Sequence, residues 1–463
     1  MSACRIPGIA LALLVGAQLV GCGGGGGPTE PPPPTVASVE VTPTAYTLTP
    51  GGTHQFTAVA KDEDGNTISG RTFTWSSSSE DVATVDAAGL ATAGEPGEAT
   101  ITAEASGVTG EAVLTVEALF PSVSAGSSHT CVVTADGSAY CWGANTRGQL
   151  GDGTATSQLT PVLVSGGLRF ASVGAGRVHT CGVTGDGSTY CWGKNASGEL
   201  GDGTTTDRAT PVQVGLSFAS VSAGSEYTCG VRTGGSAYCW GFNGQGRLGD
   251  GTYTDRHTPV PVSGGLSFAS VSAYHHTCGV TTGGSAYCWG FNNNGQVGDG
   301  AIGVRTNPVP VSGGLSFASV SGWGNHTCGV ATDGSAYCWG ANGFGELGDG
   351  TTTERHTPVP VSGGLSFVLV SAGDNHTCGV TTGGSAYCWG SNSDGQLGDG
   401  TTIMQLAPVL VSGGLSFASV SAGGIHTCGV TTGEVTYCWG YNGDGQLGDG
   451  TTDNRLSPVR VVW

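Results

Sequence analysis

Cysteine carries the clearest chemical pattern in this 463-residue chain. A turn such as Ala135-Asp136-Gly137 separates the two Cys of each recurring pair. A three-residue hairpin loop that ends in Gly places such residues opposite each other on neighbouring strands. Zinc sites instead use ligands about two to four residues apart, so the spacing predicts disulfides and no metal site. Fourteen of the sixteen Cys fall into seven pairs, each ten residues apart: Cys131 with Cys141, Cys181 with Cys191, Cys229 with Cys239, Cys278 with Cys288, Cys328 with Cys338, Cys378 with Cys388, and Cys428 with Cys438.

Three other residue types recur in step with the cysteines. A ring of His could bind a metal, although hydrogen-bonded structural His is the favoured interpretation. The Gly-Asp-Gly carboxylates fit turns in which Asp bonds its own backbone. The recurring Trp fit packing between neighbouring units, with carbohydrate stacking as the alternative. The chain has no Gly-x-Ser-x-Gly, His-Glu-x-x-His or Gly-x-x-x-x-Gly-Lys motif, so we expect no enzyme and no cofactor. The His are His129, His179, His276, His326, His376 and His426, and the Trp are Trp142, Trp192, Trp240, Trp289, Trp339, Trp389 and Trp439.

The few charged residues are mostly acidic. The chain has 34 Asp and Glu against 15 Lys and Arg, for a formal net charge of −19. Phosphate backbones and anionic membrane surfaces would be repelled, and no Lys or Arg cluster offsets this locally. We therefore expect no nucleic-acid partner. The 86 Gly are compatible with disorder, but 10 Trp, 12 Tyr and 12 Phe at regular spacing favour a folded, turn-rich β protein.

The N-terminus has the features of an export signal. Arg5 precedes an apolar run from Ile9 to Val20, which is too short to cross a bilayer comfortably and is typical of a signal-peptide core. The run ends in Leu19-Val20-Gly21-Cys22, which resembles the bacterial lipobox. This resemblance implies a signal peptide over residues 1–21 and a lipid on Cys22, followed by a Gly/Pro-rich tether over 22–35. An ordinary secretory peptide and an uncleaved anchor are the alternatives.

These features predict a cell-envelope protein that the membrane holds only through its N-terminal lipid. Its folded part would lie on the periplasmic side of the outer membrane or at the cell surface, or the protein would be secreted. An exported chain meets the oxidising conditions that disulfides need.

Residues 36–118 form a first unit with short, alternating apolar and polar runs between Pro-Gly and Asp-Gly turns, which is the pattern of a small β-sandwich. The unit resembles the group 2 bacterial Ig-like domains through its Trp75-Ser-Ser step, its Val82-Ala-Thr-Val-Asp strand and its Gly-Xaa-Ala-Thr-Ile run. We expect it to be a spacer or an adhesion domain. Asp62, Asp64 and Asn66 could begin a calcium loop, but no ligand set continues beyond them, so a solvated hairpin turn is favoured.

From Phe120 onward the sequence repeats itself seven times with a period of 48 to 50 residues. Each copy holds four short strand-like pieces separated by Gly-rich turns. An open solenoid would need terminal repeats of different character, and none is present. The repeats therefore predict a seven-bladed β-propeller over 119–463 with one cross-strand disulfide per blade. Whether its first strand near Phe120 and its last strand, Pro458 to Val462, share a blade depends on which strand lies innermost.

The repeat resembles the regulator of chromosome condensation family of propellers, in which Ala-Gly-x-x-His, Trp-Gly-x-Asn and Gly-Gln-Leu-Gly recur in each blade. In the first copy these motifs are Ala125-Gly126 with His129, Trp142-Gly143 with Asn145, and Gly148-Gln149-Leu150-Gly151. Departures affect individual loops: Tyr227 replaces the His, Val297 replaces the Leu, and the fourth copy is one residue shorter before Cys278. The whole chain is thus predicted to be all-β, an Ig-like β-sandwich followed by a propeller, and monomeric.

Variation among the copies concentrates in two loops, between the first and second strands and between the third and fourth. If the strands run antiparallel in order, both loops emerge on one face. Aromatic and Arg side chains dominate protein-binding hot spots, so this face is the predicted recognition surface. Neutral drift in exposed loops of duplicated repeats is the alternative. The candidate binding residues are Arg177, Phe242, Tyr253, Arg256, Tyr274, His275, Arg305, Trp323, Phe344, Arg355, Tyr441 and Arg455.

These patterns favour an envelope interaction scaffold whose propeller face binds a protein or glycan partner. Some members of the resembled family promote guanine-nucleotide exchange on a small GTPase, which is one alternative, although such a partner belongs inside a cell. Other propellers block secreted β-lactamases with loops on one face, so inhibition of a secreted enzyme is a second alternative. An enzymatic propeller would instead carry a carboxylate cluster in its central channel.

Overall fold

The computed structural model describes residues 34–48, 52–94, 97–116 and 122–463. These residues form 37 β-strands, and no helix occurs among them. The predicted all-β class is confirmed. The strands divide between an N-terminal β-sandwich and seven four-stranded sheets. The predicted signal peptide, Cys22 and nearly all of the tether lie outside the described residues.

The N-terminal unit has nine strands: β1 (Ser38–Thr42), β2 (Ala45–Leu48), β3 (Thr53–Gln55), β4 (Thr57–Lys61), β5 (Thr74–Ser77), β6 (Ala83–Val85), β7 (Leu90–Ala93), β8 (Gly97–Ala105) and β9 (Val108–Val116). The sheets are ordered β1-β4, β2-β9-β8-β5 and β3-β7-β6. Along β8 and β9 buried and accessible side chains alternate, because every second residue of a strand faces the core. Phe56, Ile101 and Leu114 have no exposed surface at the centre of this core.

Asp62 organises the turn after β4. Its Oδ1 atom accepts hydrogen bonds from the backbone amides of Asp64 and Asn66 at 3.0 and 2.8 Å. These bonds use the carboxylate to hold the turn and lower the pKa of Asp62. The segment is therefore the hairpin turn that the sequence favoured over a calcium loop.

From Ser122 onward each sequence copy forms one four-stranded antiparallel sheet, and these sheets are called blades 1 to 7 in chain order. The four strands of a blade follow each other in sequence order. The strands are, blade by blade, β10 (Ser122–Ala125), β11 (His129–Val133), β12 (Ala139–Gly143), β13 (Gln158–Leu163); β14 (Phe170–Ala175), β15 (His179–Thr184), β16 (Thr189–Gly193), β17 (Arg208–Gln213); β18 (Ser220–Ala223), β19 (Tyr227–Val231), β20 (Ala237–Gly241), β21 (Arg256–Pro261); β22 (Phe268–Ala273), β23 (His276–Thr281), β24 (Ala286–Gly290), β25 (Arg305–Pro310); β26 (Phe317–Trp323), β27 (His326–Ala331), β28 (Ala336–Gly340), β29 (Arg355–Pro360); β30 (Phe367–Ala372), β31 (His376–Thr381), β32 (Ala386–Gly390), β33 (Gln405–Leu410); β34 (Phe417–Ala422), β35 (His426–Thr431), β36 (Thr436–Gly440) and β37 (Arg455–Arg460).

The second and third strands of each blade form a tight hairpin that explains the cysteine spacing. In blade 1 the backbone amide of Thr134 donates to the carbonyl of Ser138, and Gly137 has a φ of 84°, which side chains disfavour. This turn places Cys131 directly opposite Cys141.

All seven predicted cysteine pairs form disulfides, one in each blade. Their Cα–Cα distances are 4.0 to 4.1 Å. The Cys side chains are fully buried. The predicted cross-strand disulfide in each blade is confirmed. The bonds join Cys131 to Cys141, Cys181 to Cys191, Cys229 to Cys239, Cys278 to Cys288, Cys328 to Cys338, Cys378 to Cys388, and Cys428 to Cys438.

The Trp of each third strand joins its blade to the preceding one. Trp192 of blade 2 is fully buried against Leu150 and the disulfide of blade 1. Gly151 cannot carry a side chain here, because a Cβ would lie 2.6 Å from the indole Nε1 of Trp192 and the φ is +73°. At six joints the indole N–H donates to a backbone carbonyl of the preceding blade, as Trp142 does to Gln446 at 2.9 Å. The Trp are therefore packing residues.

The recurring His form a belt of hydrogen bonds between blades. Nε2 of His129 in blade 1 lies 2.9 Å from Oγ1 of Thr180 in blade 2, and the other five His make the same contact. Each Thr hydroxyl already donates its one proton to a carbonyl, such as that of Gln149 at 2.8 Å, so the His Nε2 must donate to the Thr. Burial lowers the pKa of His129 to about 4 and that of His326 to about 3. The belt consists of neutral structural His.

The ring closes without exchange of a strand. The first strand of each blade is innermost, and the innermost strands of neighbouring blades contact each other, including those of blades 7 and 1. At this last joint the amide of Ala125 donates to Ser421 Oγ at 3.0 Å, a bond that also joins Ala175 to Ser124. The first and last strands of the propeller therefore belong to different blades. Side-chain contacts and backbone hydrogen bonds, such as that from the amide of Gly424 to the carbonyl of Gly126 at 3.1 Å, close the ring.

Candidate functional site

Two loops of every blade emerge together at one end of the propeller. In blade 1 the amide of Ala144, after the third strand, donates to the carbonyl of Ser128, between the first and second strands, at 2.8 Å. We call the surface formed by these paired loops the loop face. The remaining turns meet at the other end, where the amide of Phe170 donates to the carbonyl of Gly137 at 2.7 Å. The structure thus brings the two variable loops together, as the sequence predicts.

Backbone hydrogen bonds between blades hold the inner loops of this face around the mouth of the central channel. At five of the seven joints the backbone of the inner loop is therefore held by the neighbouring blade, and side-chain differences there change the surface while the backbone is kept. These bonds run from the amide of Ser127 to the carbonyl of Gly176, from Arg177 to Gly224, from Ser225 to Tyr274, from Asp374 to Gly423 and from Gly424 to Gly126, at 3.0 to 3.3 Å.

Tyr274 of blade 4 closes this mouth. Its side chain is only 2% exposed, and its hydroxyl lies 2.6 Å from Oγ of Ser127 in blade 1, across the ring. Its ring stacks on Trp323 of blade 5 with centroids 3.9 Å apart. Tyr274 was predicted to contact a partner directly, and this is wrong, because the one-residue-shorter loop of its blade turns the side chain inward. The buried Tyr274 side chain supports the loops of the loop face through its contacts with Ser127 and Trp323.

Two titratable groups lie beside this aromatic pair. Burial raises the pKa of the Asp374 carboxyl from 3.8 to about 6, although Trp323, the charge of Arg177 and Tyr274 oppose the rise. Burial also lowers the pKa of His275 to about 4, assisted by the charge of Arg247. His275 is therefore neutral at physiological pH, and Asp374 loses its charge in mildly acid solution.

Arg247 of blade 3 is a buried cation on this face. Its guanidinium lies 5.3 Å from the ring centroid of Phe242 and 5.8 Å from that of Tyr227, and it donates to Ser225 Oγ at 2.8 Å. Cation–π contacts of this kind stabilise a desolvated guanidinium. Phe242, a predicted binding residue, therefore has one face occupied by Arg247.

Four predicted binding arginines are held by their own loops. Each begins the fourth strand of its blade and pairs with the Asp of the preceding Gly-Asp-Gly turn, six residues earlier. The Asp side chains are 3 to 15% exposed and the Arg side chains 25 to 36%, so these arginines clamp their own loops, and their role in recognition stays a prediction. They are Arg256–Asp250 at 2.8 Å, Arg305–Asp299 at 2.6 Å, Arg355–Asp349 at 3.0 Å and Arg455–Asp449 at 2.6 Å.

Other predicted residues remain accessible on the loop face. Tyr253 is 59% exposed, Arg177 and Phe344 are exposed, and Tyr441 is half-buried. Ile302 and Ile403, which are not among the predicted binding residues, are at least as exposed as Tyr253. They are neither aromatic nor Arg, and the sequence signal that indicates them is an apolar residue in the polar segment that follows Gly-Asp-Gly. These exposed apolar residues come from blades 3 to 6.

The repeat structure agrees with family models of the regulator of chromosome condensation (RCC1) repeat. One model matches residues 136–183, 186–231, 234–280, 333–380, 383–430 and 433–463, and a second matches 122–149, 170–199, 218–247, 271–296 and 367–396. A model of the bacterial Ig-like domain (group 2) matches residues 35–116. The chain belongs to the family of RCC1-repeat propellers, preceded here by a group 2 bacterial Ig-like domain. Both predicted resemblances are confirmed.

Solved structures share this fold at low sequence identity. Human WBSCR16 is 19% identical, with a TM-score of 0.65 over 70% of this chain and 94% of that one. Yeast RCC1 (Prp20), solved bound to Kap60, is 19% identical, with a TM-score of 0.64 over 75% of this chain and 85% of that one. A second structure of Prp20p, from Saccharomyces cerevisiae, is 21% identical with a TM-score of 0.58 over 65% and 80% of the two chains. No curated protein sequence matches significantly.

The family match and these structures establish an RCC1-repeat propeller fold, in a family that is in general non-catalytic. Among the residues that the structure describes, no group of three or more His, Cys, Asp or Glu could hold a metal ion. The described part of the chain also has no helix that is long and apolar enough to span a membrane.

Proposed function

We propose that the protein is an exported, lipid-anchored, non-enzymatic scaffold of the bacterial cell envelope that binds a protein or glycan partner through its loop face. The observation that carries this proposal is that the most exposed apolar residues of the loop face, Tyr253, Ile302, Phe344 and Ile403, come from four consecutive blades, 3 to 6. Isolated exposed apolar residues are ordinary, but a sector of them on one face marks an interaction site. The N-terminal apolar run and Cys22 support the lipid anchor, and the seven buried disulfides support an oxidising compartment.

The closed mouth favours recognition by the surface over chemistry in the channel. Tyr274 bridges to Ser127 across the opening, so a partner meets a continuous platform. The innermost strands, such as β10 and β18 with the sequence Ser-Val-Ser-Ala, present small neutral residues to the channel.

The binding proposal is tested by exchanging exposed apolar residues in the full-length lipoprotein. Tyr253→Ser combined with Ile302→Ser should abolish partner capture in envelope fractions by in-cell cross-linking. Leu163→Ser combined with Leu410→Ser is the matched control, because both Leu are exposed at the opposite ends of their fourth strands. Equal loss in both variants, or no loss in either, would remove the loop face as the binding surface.

The anchoring proposal needs a separate experiment. Cells fed an alkyne fatty acid should label the wild-type protein, and Cys22→Ala should remove the label and release the protein from the membrane fraction. Cys131→Ala with Cys141→Ala serves as the control and should keep the label. An unlabelled wild-type protein would contradict the lipid anchor.

A further inference from the structure

A polar bridge recurs at three of the seven joints of the loop face. A residue in the long loop of one blade bonds the residue before the fourth strand of the next blade, sixty positions further on. The three bridges are Arg147 to Asp207 at 3.4 Å, Asn294 to Glu354 at 2.8 Å, and Asn454 to Asp394 at 3.1 Å.

The joint between blades 5 and 6 differs from these joints. Its two bridge positions are Phe344 and Met404, and it is the one joint of the seven at which both residues are apolar. The loop of Phe344 rests directly on blade 6, because a Cβ on Gly345 would lie 2.5 Å from Cδ2 of Leu406. Phe344 and Met404 therefore occupy the two positions that form the polar bridge at three other joints.

These side chains remain in solvent. Phe344 is 47% exposed, Met404 42% and the adjacent Ile403 66%. A polar bridge at this joint would avoid exposing apolar side chains to water, and other joints of the same ring have one. An apolar cluster at a position built for a bridge is therefore a surface that another molecule covers.

The surrounding charge indicates what that molecule is. Residues 306 to 463 contain eleven Asp and Glu but only three Arg and no Lys. Arg355 and Arg455 are already paired with Asp349 and Asp449. Acidic residues, Glu354 and Asp394, flank the joint on either side along the rim. The field around the apolar cluster is negative, which repels nucleic acid, anionic lipid and a second copy of this chain at −19.

We infer that the cluster of Phe344, Ile403 and Met404 docks a protein segment that carries aliphatic or aromatic side chains flanked by Lys or Arg. This inference rests on the proposed function and adds the place and the chemistry of the partner. Apolar side chains of the segment would cover the three residues, and its cations would face Glu354 and Asp394. Such anchors supply affinity, whereas the charges speed association and select the partner.

The first test places a photo-cross-linker at Phe344 of the full-length protein in its own cells. The matched control carries the cross-linker at Asp444, the same loop position in blade 7, and a second probe is placed at Tyr253. A cross-linked peptide that is apolar, rich in Lys or Arg and found at Phe344 but not at Asp444 supports the inference. A glycan, a lipid, an acidic peptide or a second copy of this chain at Phe344 overturns it.

The same experiment separates the two proposals. Capture at Tyr253 with none at Phe344 overturns the inference and leaves the proposed function standing. The absence of any capture at Tyr253 and Phe344 removes both.

The second test uses defined peptides with the purified chain. An amphipathic Leu/Lys peptide should bind the wild type at least about tenfold more tightly than it binds a Phe344→Ser, Ile403→Thr, Met404→Gln variant. A Leu/Glu peptide of the same pattern and a Ser/Lys peptide should bind both proteins weakly. Salt should weaken the Leu/Lys complex, because rim charges are screened. Equal affinity for wild type and variant, or equal binding of the Leu/Glu peptide, overturns the inference.

Discussion

At the residue before the Leu of each Gly-Gln-Leu-Gly motif, one substitution changes the side-chain contacts of a blade. In blade 1 Gln149 Oε1 accepts the backbone amide of Arg147 at 2.9 Å. Glu346 makes the same bond in blade 5, and burial raises the pKa of its carboxyl. Arg247 has no acceptor atom, so its side chain turns to Ser225 and to the ring of Phe242 instead. A single change of side-chain chemistry thus alters the loop face of blade 3 while the backbone is kept.

The buried His make a pH-dependent contribution to stability. Burial holds the pKa of the six belt His at about 3 to 4, below the ordinary 6.5. The unfolded chain takes up protons below pH 6.5 and the folded chain does not, so this stabilisation is present above pH 6.5 and is lost as the pH falls. Each His contributes up to about 1.4 kcal/mol per pH unit. The urea midpoint of unfolding should therefore fall steeply between pH 7 and pH 5.

Asp374 acts in the opposite direction, because its pKa rises from 3.8 in the unfolded chain to about 6 in the folded protein. Its contribution to stability is therefore present below pH 3.8 and is lost as the pH rises through 6. One such group offsets only part of the effect of six His. His326→Gln should reduce the pH dependence by about one proton. A midpoint that does not change between pH 7 and pH 5 would show that these His are protonated in the folded protein.

Glu434 occupies a position that Gly fills in the other six hairpins. Its φ is 61°, whereas the equivalent Gly384 has a φ of 80°. Left-handed backbone costs a residue with a Cβ about 1 to 2 kcal/mol, and part of this is offset by the greater freedom of Gly in the unfolded chain. Glu434→Gly should therefore raise the stability by about 0.5 to 1 kcal/mol in urea unfolding. The reverse exchange, Gly384→Glu, should lower it, and a stabilised Gly384→Glu variant would contradict the strain argument.

At the scale of elements, each blade is one four-stranded sheet. A disulfide joins its two central strands, and its outer edge is protected from pairing with other strands. The disulfide joins the second and third strands, and the first strand faces the channel. The fourth strand is the outer edge, and every copy carries Pro at its fourth position, as Pro161 does in β13 and Pro358 in β29. Pro lacks the amide that an added strand would need, so the seven outer edges resist pairing with other chains.

Removal of one disulfide should weaken the propeller without unfolding it. Cys328→Ala with Cys338→Ala opens a ten-residue loop, for which the chain-entropy relation gives about 2 to 3 kcal/mol. Urea unfolding of the oxidised variant measures this loss. The native protein should also resist alkylation after mild reduction, because the sulfur atoms are buried. Rapid alkylation in the absence of urea would show that the hairpins open locally.

At the scale of the whole molecule, the joint between blades 7 and 1 makes the same His–Thr contact as the five other joints that carry a belt His. Thr130 accepts from Nε2 of His426 at 2.9 Å and donates to the carbonyl of Gln446 at 2.9 Å. Thr327 makes the corresponding bonds between blades 4 and 5. The chain therefore needs no exchanged strand to hold its ends together.

This equivalence is open to measurement. Thr130→Val and Thr327→Val each leave a buried His N–H without an acceptor, which costs about 1 to 3 kcal/mol. The carbonyls of Gln446 and Gln296 keep the indole N–H of Trp142 and Trp339 as donors. The two variants should lose the same stability in urea unfolding to within about 0.5 kcal/mol. A much smaller loss for Thr130→Val would show that the ring is open at its last joint.

The sequence alone determined the number of blades, the class of the N-terminal unit and the pairing of the cysteines. These features depend on neighbours within one repeat: a turn ending in Gly, alternating strands and a period that recurs seven times. Only the tertiary structure decided which loop residues reach solvent. Tyr274 turns inward to Ser127 in a blade on the far side of the ring, and Arg147 reaches Asp207 in the next blade. Such contacts join residues about 60 to 150 positions apart, and they are set by the closed geometry of the ring, which local spacing does not encode.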